Sequence, residues 1–354
     1  MQLCFAPMDW ITNSATRLIT NQIFEKYWKK EDSLNLWTEF MNVDGFLINP
    51  HQVIKHAITT QWLRPILQIY WWNQETLVRA TEKIQNEYSE LFSWIELNTW
   101  CPSNTVMKVW WWSDMLKDKE KTLSIIKNLS EVKWPLPFSL KTRAWLNDWD
   151  KQEQMYFLIK ASEFCSKITI HWRTLKQLYS WESDRDFIYN VKENLKKIWN
   201  PDCEVIGNWW ITSYHEASII LSKYGLNWIM IGQSAIWNPR VFTEHNPSLS
   251  DKYTAILQHL DYSIACDQRF EEKISNISWD ILVKDLEIPL EWIEHQIKQN
   301  QKKSDFQPHT IIEFRKFLFQ YVKWIPWSKE RKQWVLNCKS YKELRDQIDC
   351  LFDK

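Results

Sequence analysis

Glycine is nearly absent from this sequence. The chain has 354 residues and only 4 glycines, whereas an average composition of about 7% would give roughly 25. Tryptophan, by contrast, occurs 26 times. Because glycine is the residue that enters left-handed backbone without strain, its loss from a whole chain is unexpected. The two counts together indicate that tryptophan stands where many glycines belong.

Other scarce features exclude whole classes of protein. The seven cysteines are odd in number and form no CxxC pair, which disfavours a disulfide framework or a zinc site, so we expect no metal. No apolar run reaches 18 residues and no signal peptide is recognisable, so we expect a soluble, cytoplasmic protein without membrane contact. Basic and acidic residues both number 44, so net charge gives no indication of an anionic partner.

The order of strand-like and helical patterns predicts the fold. Eight strands, each followed by a helix, predict a (β/α)8 TIM barrel. A doubly wound sheet is the alternative, but eight units in about 245 residues favour closure. The predicted strands are 3–6, 36–41, 65–70, 95–98, 138–143, 167–171, 204–208 and 229–232, and predicted helices include 74–88, 118–130, 151–163, 184–198 and 213–223.

Beyond Pro247 the pattern becomes helical almost throughout. We therefore predict a barrel domain over 1–245 and a smaller all-helical C-terminal domain over 246–354. From Lys298 to Arg345, 12 lysines and arginines stand against 4 acids. Such a stretch is either a solvated face or a surface that follows nucleic-acid phosphates.

Polar residues lie at or just beyond the carboxyl end of nearly every predicted strand. In a barrel of this kind the working residues lie at the carboxyl ends of the strands. One such residue alone is more often a structural hydrogen-bonding group, but several on one rim favour a site. They are Gln68, Asn98, Cys101, Lys141, Arg143, His171, Arg173 and Asn208, with the loop at Pro7 and Met8 and the turn at Gly232.

Tryptophan occupies places that call for glycine. Trp28 ends a helical stretch, where a C′ glycine is common, and the Trp71-Trp72 and Trp209-Trp210 pairs follow strands, where positive φ is often needed. Our hypothesis is that most of these are glycines encoded by UGA, in an organism that reads UGA as glycine, and translated here as tryptophan. A packed core or a base-stacking surface is the other explanation.

With glycine at these positions, residues 98–103 become NTGCPS, 108–116 KVGGGSDML, 171–174 HGRT and 207–212 GNGGIT. These segments resemble the tRNA-dihydrouridine synthases, flavoproteins that reduce specific uridines in tRNA. The segments APMDWIT, PILQIYW, SLKTR and IMIGQSAIWNPRVF resemble further family segments, so the resemblance runs in family order from about residue 3 to 243. It implies FMN as cofactor, NADPH or NADH as electron donor, and tRNA as partner. We expect a monomer.

The resemblance implies cofactor contacts at the strand ends. Lys141 matches the lysine that approaches the pyrimidine edge of the flavin, where a cation stabilises negative charge on the reduced ring. Backbone N–H groups after strands seven and eight would hold the phosphate. Gln233 departs from the family's usual arginine, which removes a side-chain charge there. The implied set is Pro7, Met8, Asp9, Gln68, Lys141, His171, Asn208, Trp209, Trp210, Gly232 and Gln233.

The resemblance also implies the chemistry of the substrate. Cys101 matches the cysteine that protonates C5 of the uracil while C6 receives hydride. A thiol, with an unperturbed pKa of about 8.5, is mostly protonated at neutral pH yet able to release its proton. Without that context a cysteine beside a proline is more often structural. Asn98 matches the asparagine that holds the uracil edge, and Arg143 and Arg173 are expected to contact the uracil or the tRNA backbone.

Two other functions remain open from the residues. An FMN barrel acting on a free pyrimidine, such as a dihydroorotate-type dehydrogenase, shares the fold and the lysine, although the CPS and HxRT segments and the basic tail count against it. A non-catalytic tRNA-binding protein gains weight if the tryptophans are real. In that case we expect indoles, including those of Trp209 and Trp210, to crowd the barrel mouth.

Overall fold

Eight parallel strands close into a barrel in the computed structural model. The structure describes residues 1–49, 55, 57–99, 115, 118–132, 135–144, 150–171, 185–198, 202–226, 228–276, 287–303, 306–323 and 329–353. The strands are β1 (Gln2–Phe5), β2 (Ser33–Asn42), β3 (Thr59–Thr60), β4 (Ile66–Tyr70), β5 (Ile95–Asn98), β6 (Phe138–Arg143), β7 (Lys167–His171), β8 (Glu204–Trp209), β9 (Trp228–Ile231) and β10 (Glu287–Ile288). β1, β2 and β4–β9 pair in that order, and β9 pairs with β1. The predicted TIM barrel is confirmed, because an open doubly wound sheet would leave two unpaired edges.

Helices follow the strands and continue into the C-terminal part. They are α1 (Ser14–Tyr27), α2 (Val43–Ile48), α3 (Gln74–Glu87), α4 (Lys119–Glu131), α5 (Lys151–Ser162), α6 (Arg185–Ile198), α7 (Tyr214–Tyr224), α8 (Gln233–Trp237), α9 (Leu249–Asn276), α10 (Leu290–Asn300), α11 (Thr310–Tyr321), α12 (Lys329–Asn337) and α13 (Tyr341–Leu351). α3–α7 match the predicted helices to within one residue at each end. Their ends carry the expected signals: the side chain of Asn73 caps α3, and Gly225 ends α7 with φ of 56°.

β2 is longer than predicted and contains an irregularity. Its register with β4 shifts between Trp37 and Phe40, as in a β-bulge. The hydroxyl of Thr38 then accepts a hydrogen bond from the backbone N–H of Gln68 at 3.1 Å. A bulge of this kind increases local twist and redirects side chains, here beside a predicted site residue.

Contacts between the barrel and the C-terminal part include a short strand pairing and the packing of two helices. β10 pairs with β3, a short parallel ladder that the helical pattern did not predict. α9 packs along α1, where His259 Nε2 lies 3.1 Å from the hydroxyl of Thr16 and its Nδ1 lies 3.1 Å from the hydroxyl of Tyr321. Burial lowers the pKa of His259 to about 3, so the ring is neutral at ordinary pH. The domain division at 245 stays a prediction.

Within the described residues, no helix has both the length and the apolar composition needed to cross a lipid bilayer.

Left-handed backbone occurs at different tryptophans from those expected. Trp28 has φ of −68° because α1 runs directly into extended chain. The pairs that follow strands also lack positive φ, and Trp209 is itself the last residue of β8. Among the described residues, the tryptophans that do adopt it are Trp10, with φ of 60°, and Trp62, with φ of 73°. The expectation of positive φ was therefore wrong for Trp28 and the two pairs, and left-handed backbone lies at Trp10 and Trp62 instead.

Candidate active site

The carboxyl ends of neighbouring strands bring several predicted residues onto one wall of the barrel. Asn98 of β5 lies opposite Lys141 of β6, and Arg143 lies opposite His171 of β7, which in turn lies opposite Asn208 of β8. Residues paired in register point to the same face of a sheet, and side chains two apart on a strand share that face. The five side chains therefore line one continuous surface. Lys141 and His171 are half-buried, whereas the other three are buried.

Below that wall a buried carboxylate gathers hydrogen bonds from across the barrel. Glu96 Oε1 accepts from Trp37 Nε1 at 2.8 Å and from Gln68 Nε2 at 2.7 Å, and Oε2 accepts from the Thr169 hydroxyl at 3.0 Å. The donors belong to β2, β4 and β7, so the carboxylate of β5 reaches across the barrel interior. Gln68 is also joined to the wall, because Asn98 Nδ2 donates to Gln68 Oε1 at 3.1 Å.

The loop after β1 meets the end of β9. Met8 and Thr12 close this loop: the Met8 N–H donates to the Thr12 hydroxyl, and the Thr12 N–H donates to the Met8 carbonyl, both at 3.0 Å. A Cβ on Gly232 would lie 3.9 Å from the Met8 sulfur, so the two segments are in contact distance. Pro7 and Asp9 flank Met8 and are partly exposed. The predicted cofactor residues of these two segments thus share one side of the barrel mouth.

The last two residues of β8 point to opposite sides of the barrel wall. Asn208 points inward and donates to a carbonyl of β9 at 3.0 Å. Trp209 points outward, is 3% exposed and stacks on Tyr224 of α7, with ring centroids 6.3 Å apart. Its ring fills the space beside Gly207, where a Cβ would lie 1.9 Å from it. The expected crowding of the mouth is wrong for Trp209, because strand alternation sends its side chain away from the interior.

A family model described as "Dihydrouridine synthase (Dus)" matches residues 4–348. The chain belongs to the dihydrouridine synthase family. A Rickettsia conorii protein named "Probable tRNA-dihydrouridine synthase" is 30% identical over 183 residues, which cover 48% of this chain and 53% of that protein. A protein of the same name from Aquifex aeolicus is 23% identical over 351 residues, covering 98% of this chain and 95% of that protein.

A Coprinopsis cinerea protein named tRNA-dihydrouridine(47) synthase, NAD(P)(+), is 27% identical over 176 residues, covering 48% of this chain and 26% of that protein. The chain spans about half the length of several curated relatives that it matches, the Rickettsia conorii protein among them. Membership of the dihydrouridine synthase family confirms the resemblance found in the sequence.

Part of the family's site falls outside the described residues. Cys101, the predicted catalytic cysteine, and Arg173 both lie there, as do the tryptophans at 100, 110–112 and 172. Gln233 is described: it is the exposed first residue of α8. Trp210 is 44% exposed. The roles of all these residues stay predictions.

Glu96 was missed by the sequence reasoning, which considered only the ends of strands. A signal was nevertheless present in the segment IELN. Alternation along a strand places Glu96 on the same face as Asn98, and that face had already been assigned to the barrel interior. A carboxylate at such a position must be hydrogen-bonded or paired, because burial of an isolated charge is costly.

The electrostatics of Glu96 follow from its depth. The residue is 0% exposed, and this burial raises the pKa of its carboxyl to about 7. Lys141 and the hydrogen bonds from Gln68, Thr169 and Trp37 act in the opposite direction, since each stabilises the ionised form. The carboxylate therefore titrates in the neutral range, directly below the side chains of the wall.

Proposed function

We propose that this protein reduces specific uridines in tRNA to 5,6-dihydrouridine, with FMN as cofactor and NADPH or NADH as electron donor. The observation that carries the proposal is the polar wall of Asn98, Lys141 and His171, joined to Gln68, inside a barrel of the dihydrouridine synthase family. When bound, FMN supplies the hydride that reaches C6 of the uracil.

The side chains of the wall suit the ring system of a flavin. The amides of Gln68 and Asn98 each carry a donor and an acceptor, as the pyrimidine edge of the ring does. Lys141 lies beside Asn98 in register and places a cation near the edge that becomes negative on reduction. The phosphate would be held by backbone N–H groups on the opposite strands. The residues proposed to hold FMN are Pro7, Met8, Asp9, Gln68, Lys141, His171, Asn208, Trp209, Trp210, Gly232 and Gln233.

The substrate side of the proposal involves the other predicted residues. Asn98 holds the uracil edge, and Arg143 and Arg173 contact the uracil or the tRNA backbone. Cys101 donates its thiol proton to C5. For this to happen the target base must leave its stack and enter the barrel mouth, which requires a second surface to hold the rest of the tRNA.

The basic C-terminal stretch supplies that surface only in part. Lys302 and Lys303, here called the basic pair, follow α10 and are exposed. Arg315 instead donates to the carbonyl of Cys338, and Lys316 is half-buried, with its pKa lowered by that burial. We therefore assign phosphate contacts to the basic pair and a structural role to Arg315 and Lys316.

The proposal that many tryptophans are glycines encoded by UGA has support in the backbone and in the core. Trp10 and Trp62 adopt the left-handed region, which glycine enters far more readily. Among the described residues, the buried indole nitrogens of Trp94 and Trp209 lack a hydrogen-bond partner, an arrangement that costs free energy. Sequencing the gene tests the proposal, and UGG codons at 100, 110–112 and 172 would contradict it. The chain with glycine wherever the gene has UGA is called the gene-verified chain below.

The decisive assay is nucleoside analysis of tRNA incubated with the gene-verified chain, FMN and NADPH. We expect dihydrouridine to form and the purified protein to show flavin absorbance. The family and the names of the relatives do not favour the two alternatives, a free-pyrimidine dehydrogenase and a non-catalytic tRNA-binding protein. Oxidation of free dihydroorotate without activity on tRNA would support the first, and absence of flavin would support the second.

A further inference from the structure

Glu96 has no part in the chemistry proposed above, yet it occupies the centre of the barrel. Its carboxylate is 0% exposed, and three donors from three different strands converge on it. Burying a carboxylate costs free energy, and apolar side chains of similar volume would fill the same space at no such cost. The position of Glu96 therefore calls for an explanation other than packing.

The hydrogen bonds show what the carboxylate does to its neighbours. An ionised carboxylate only accepts, so Gln68 must turn its NH2 group toward Glu96. The Gln68 carbonyl oxygen then faces Asn98, and Asn98 must present its own NH2 group to that oxygen. If Gln68 turned over, its oxygen would face the carboxylate and both bonds would be lost. One buried charge thus fixes the orientation of two amides in series.

We propose that Glu96 is a positioning residue for the flavin and uracil site: its carboxylate fixes the amide of Gln68 and, through it, that of Asn98. The inference rests on the proposed function, because these two amides are the groups assigned to the ring and to the substrate. Lys141, in register with Asn98, supplies the positive charge that favours the ionised carboxylate.

The inference predicts that the site depends on pH. The pKa of Glu96 is raised to about 7, so the carboxylate is ionised above that pH and gains a proton below it. Protonation of Glu96 removes the negative charge that strengthens its three hydrogen bonds, and each becomes an ordinary neutral bond. The amides are therefore held more firmly above about pH 7 than below it.

Two thiols near Glu96 are neutral in this range, and His171, two residues along β7 from Thr169, is a further titratable side chain of the wall. Burial raises the pKa of the Cys4 thiol of β1 and of Cys165 before β7, and Glu96 adds to both shifts, so the two thiols stay neutral. Lys167 and Glu204, at the opposite end of the barrel, form an ion pair with each other. Lys141 of β6 is the charged group that acts on Glu96 itself.

The test compares FMN affinity of the gene-verified chain with that of its Glu96→Gln variant between about pH 5.5 and 8.5, by quenching of flavin fluorescence. At the upper pH we expect the variant to bind FMN about tenfold to a hundredfold more weakly, the usual effect of losing a charge-assisted hydrogen bond. Toward the lower pH the ratio of the two dissociation constants should approach one. The FMN phosphate titrates in the same way with both proteins, so its effect cancels in the ratio of the two dissociation constants. The pH dependence of that ratio therefore reports on Glu96.

Two further variants distinguish positioning from general damage. Glu204→Gln removes another carboxylate of the barrel, one that accepts from Trp228 and pairs with Lys167, and should leave the pH profile of FMN binding unchanged. Thr169→Val removes one donor to Glu96 and leaves Gln68 in place, so the pKa of Glu96 should rise and the midpoint of the profile should move to higher pH. This second variant also tests the inference if Glu96→Gln fails to fold.

A ratio that is constant across the pH range, or a Thr169→Val profile with an unchanged midpoint, would overturn the role of Glu96 while leaving the proposed function intact. Failure of the gene-verified chain itself to bind FMN at any pH would overturn both.

Discussion

Replacing Trp62 by glycine should stabilise the fold, although the substitution removes a large indole side chain. Trp62 is the third residue of a tight turn in which the Leu63 N–H donates to the Thr60 carbonyl at 3.1 Å. Its φ of 73° is the value that a type II turn requires at this position, where glycine is strongly preferred. Because the side chain is 79% exposed, little buried surface is lost with it.

The magnitude follows from two opposing terms. Left-handed backbone costs a residue with a Cβ about 1–2 kcal/mol. Glycine loses more conformational entropy on folding than a residue with a side chain does, which offsets about 0.5–1 kcal/mol of this gain. Trp62→Gly should therefore raise the free energy of unfolding by about 0.5–1 kcal/mol.

Trp28 provides a matched control. It is 50% exposed and has φ of −68°, so glycine relieves no strain there and its entropic cost remains. Trp28→Gly should lower the free energy of unfolding by about 0.5–1 kcal/mol. Urea unfolding followed by circular dichroism, in a common background, measures both changes. Equal effects of the two substitutions, or destabilisation by Trp62→Gly, would refute the argument from backbone conformation.

Three further predictions concern catalysis, tRNA binding and stability. Cys101→Ala should bind FMN and accept electrons from the nicotinamide donor but lose most uridine reduction; full activity would assign the proton to another acid. Changing both lysines of the basic pair to glutamine should make tRNA affinity less dependent on salt. The slope of log affinity against log salt concentration should become shallower by up to about 1.8, so the loss of affinity between 50 and 200 mM salt should be about tenfold smaller. The same change at Lys83, half-exposed on α3, and at Lys127, exposed on α4, should have no such effect. If the two double variants have the same salt slope, the basic pair is only a solvated face. His259→Gln should make the protein lose less stability in acid. Burial lowers the folded-state pKa of His259 to about 3, so between roughly pH 6.5 and 3 the free energy of unfolding of the wild-type chain should fall by up to about 1.4 kcal/mol per pH unit relative to the variant. Parallel plots of the free energy of unfolding against pH for the two proteins would refute this.

The barrel could be predicted from the sequence because its strands and helices are separated by local periodicity. Each strand run is short and apolar, and each helix between α3 and α7 has an amphipathic pattern, so their bounds need no knowledge of distant contacts. The pairing of β3 with β10 is different. It involves two residues on each side and joins segments more than 200 residues apart, so no local pattern could indicate it.

The candidate site shows the same contrast. The ends of the strands identify Asn98, Lys141 and His171, and the register confirms that they are neighbours. The role of Glu96 depends on Gln68 of the neighbouring strand β4 and on Trp37 and Thr169, which reach it from strands two positions away across the barrel interior. The outward direction of Trp209 depends on the phase of β8, which the position of a residue at a strand end does not indicate by itself.

The contact between α1 and α9 has a consequence for the synthesis of the chain. Ile19 and Ile23 of α1 are buried against Ala255 of α9. The helix that covers these two side chains is therefore translated only after the whole barrel. At about 5–20 residues per second, the hundred or so residues from α9 onward need roughly 5–20 s to emerge. During that interval a nascent barrel exposes an apolar helix face to the ribosome and to chaperones. The loop that carries Met8 runs directly into α1, and its Ile11 packs on the C-terminal cluster, so the later-made helices complete the surroundings of this loop.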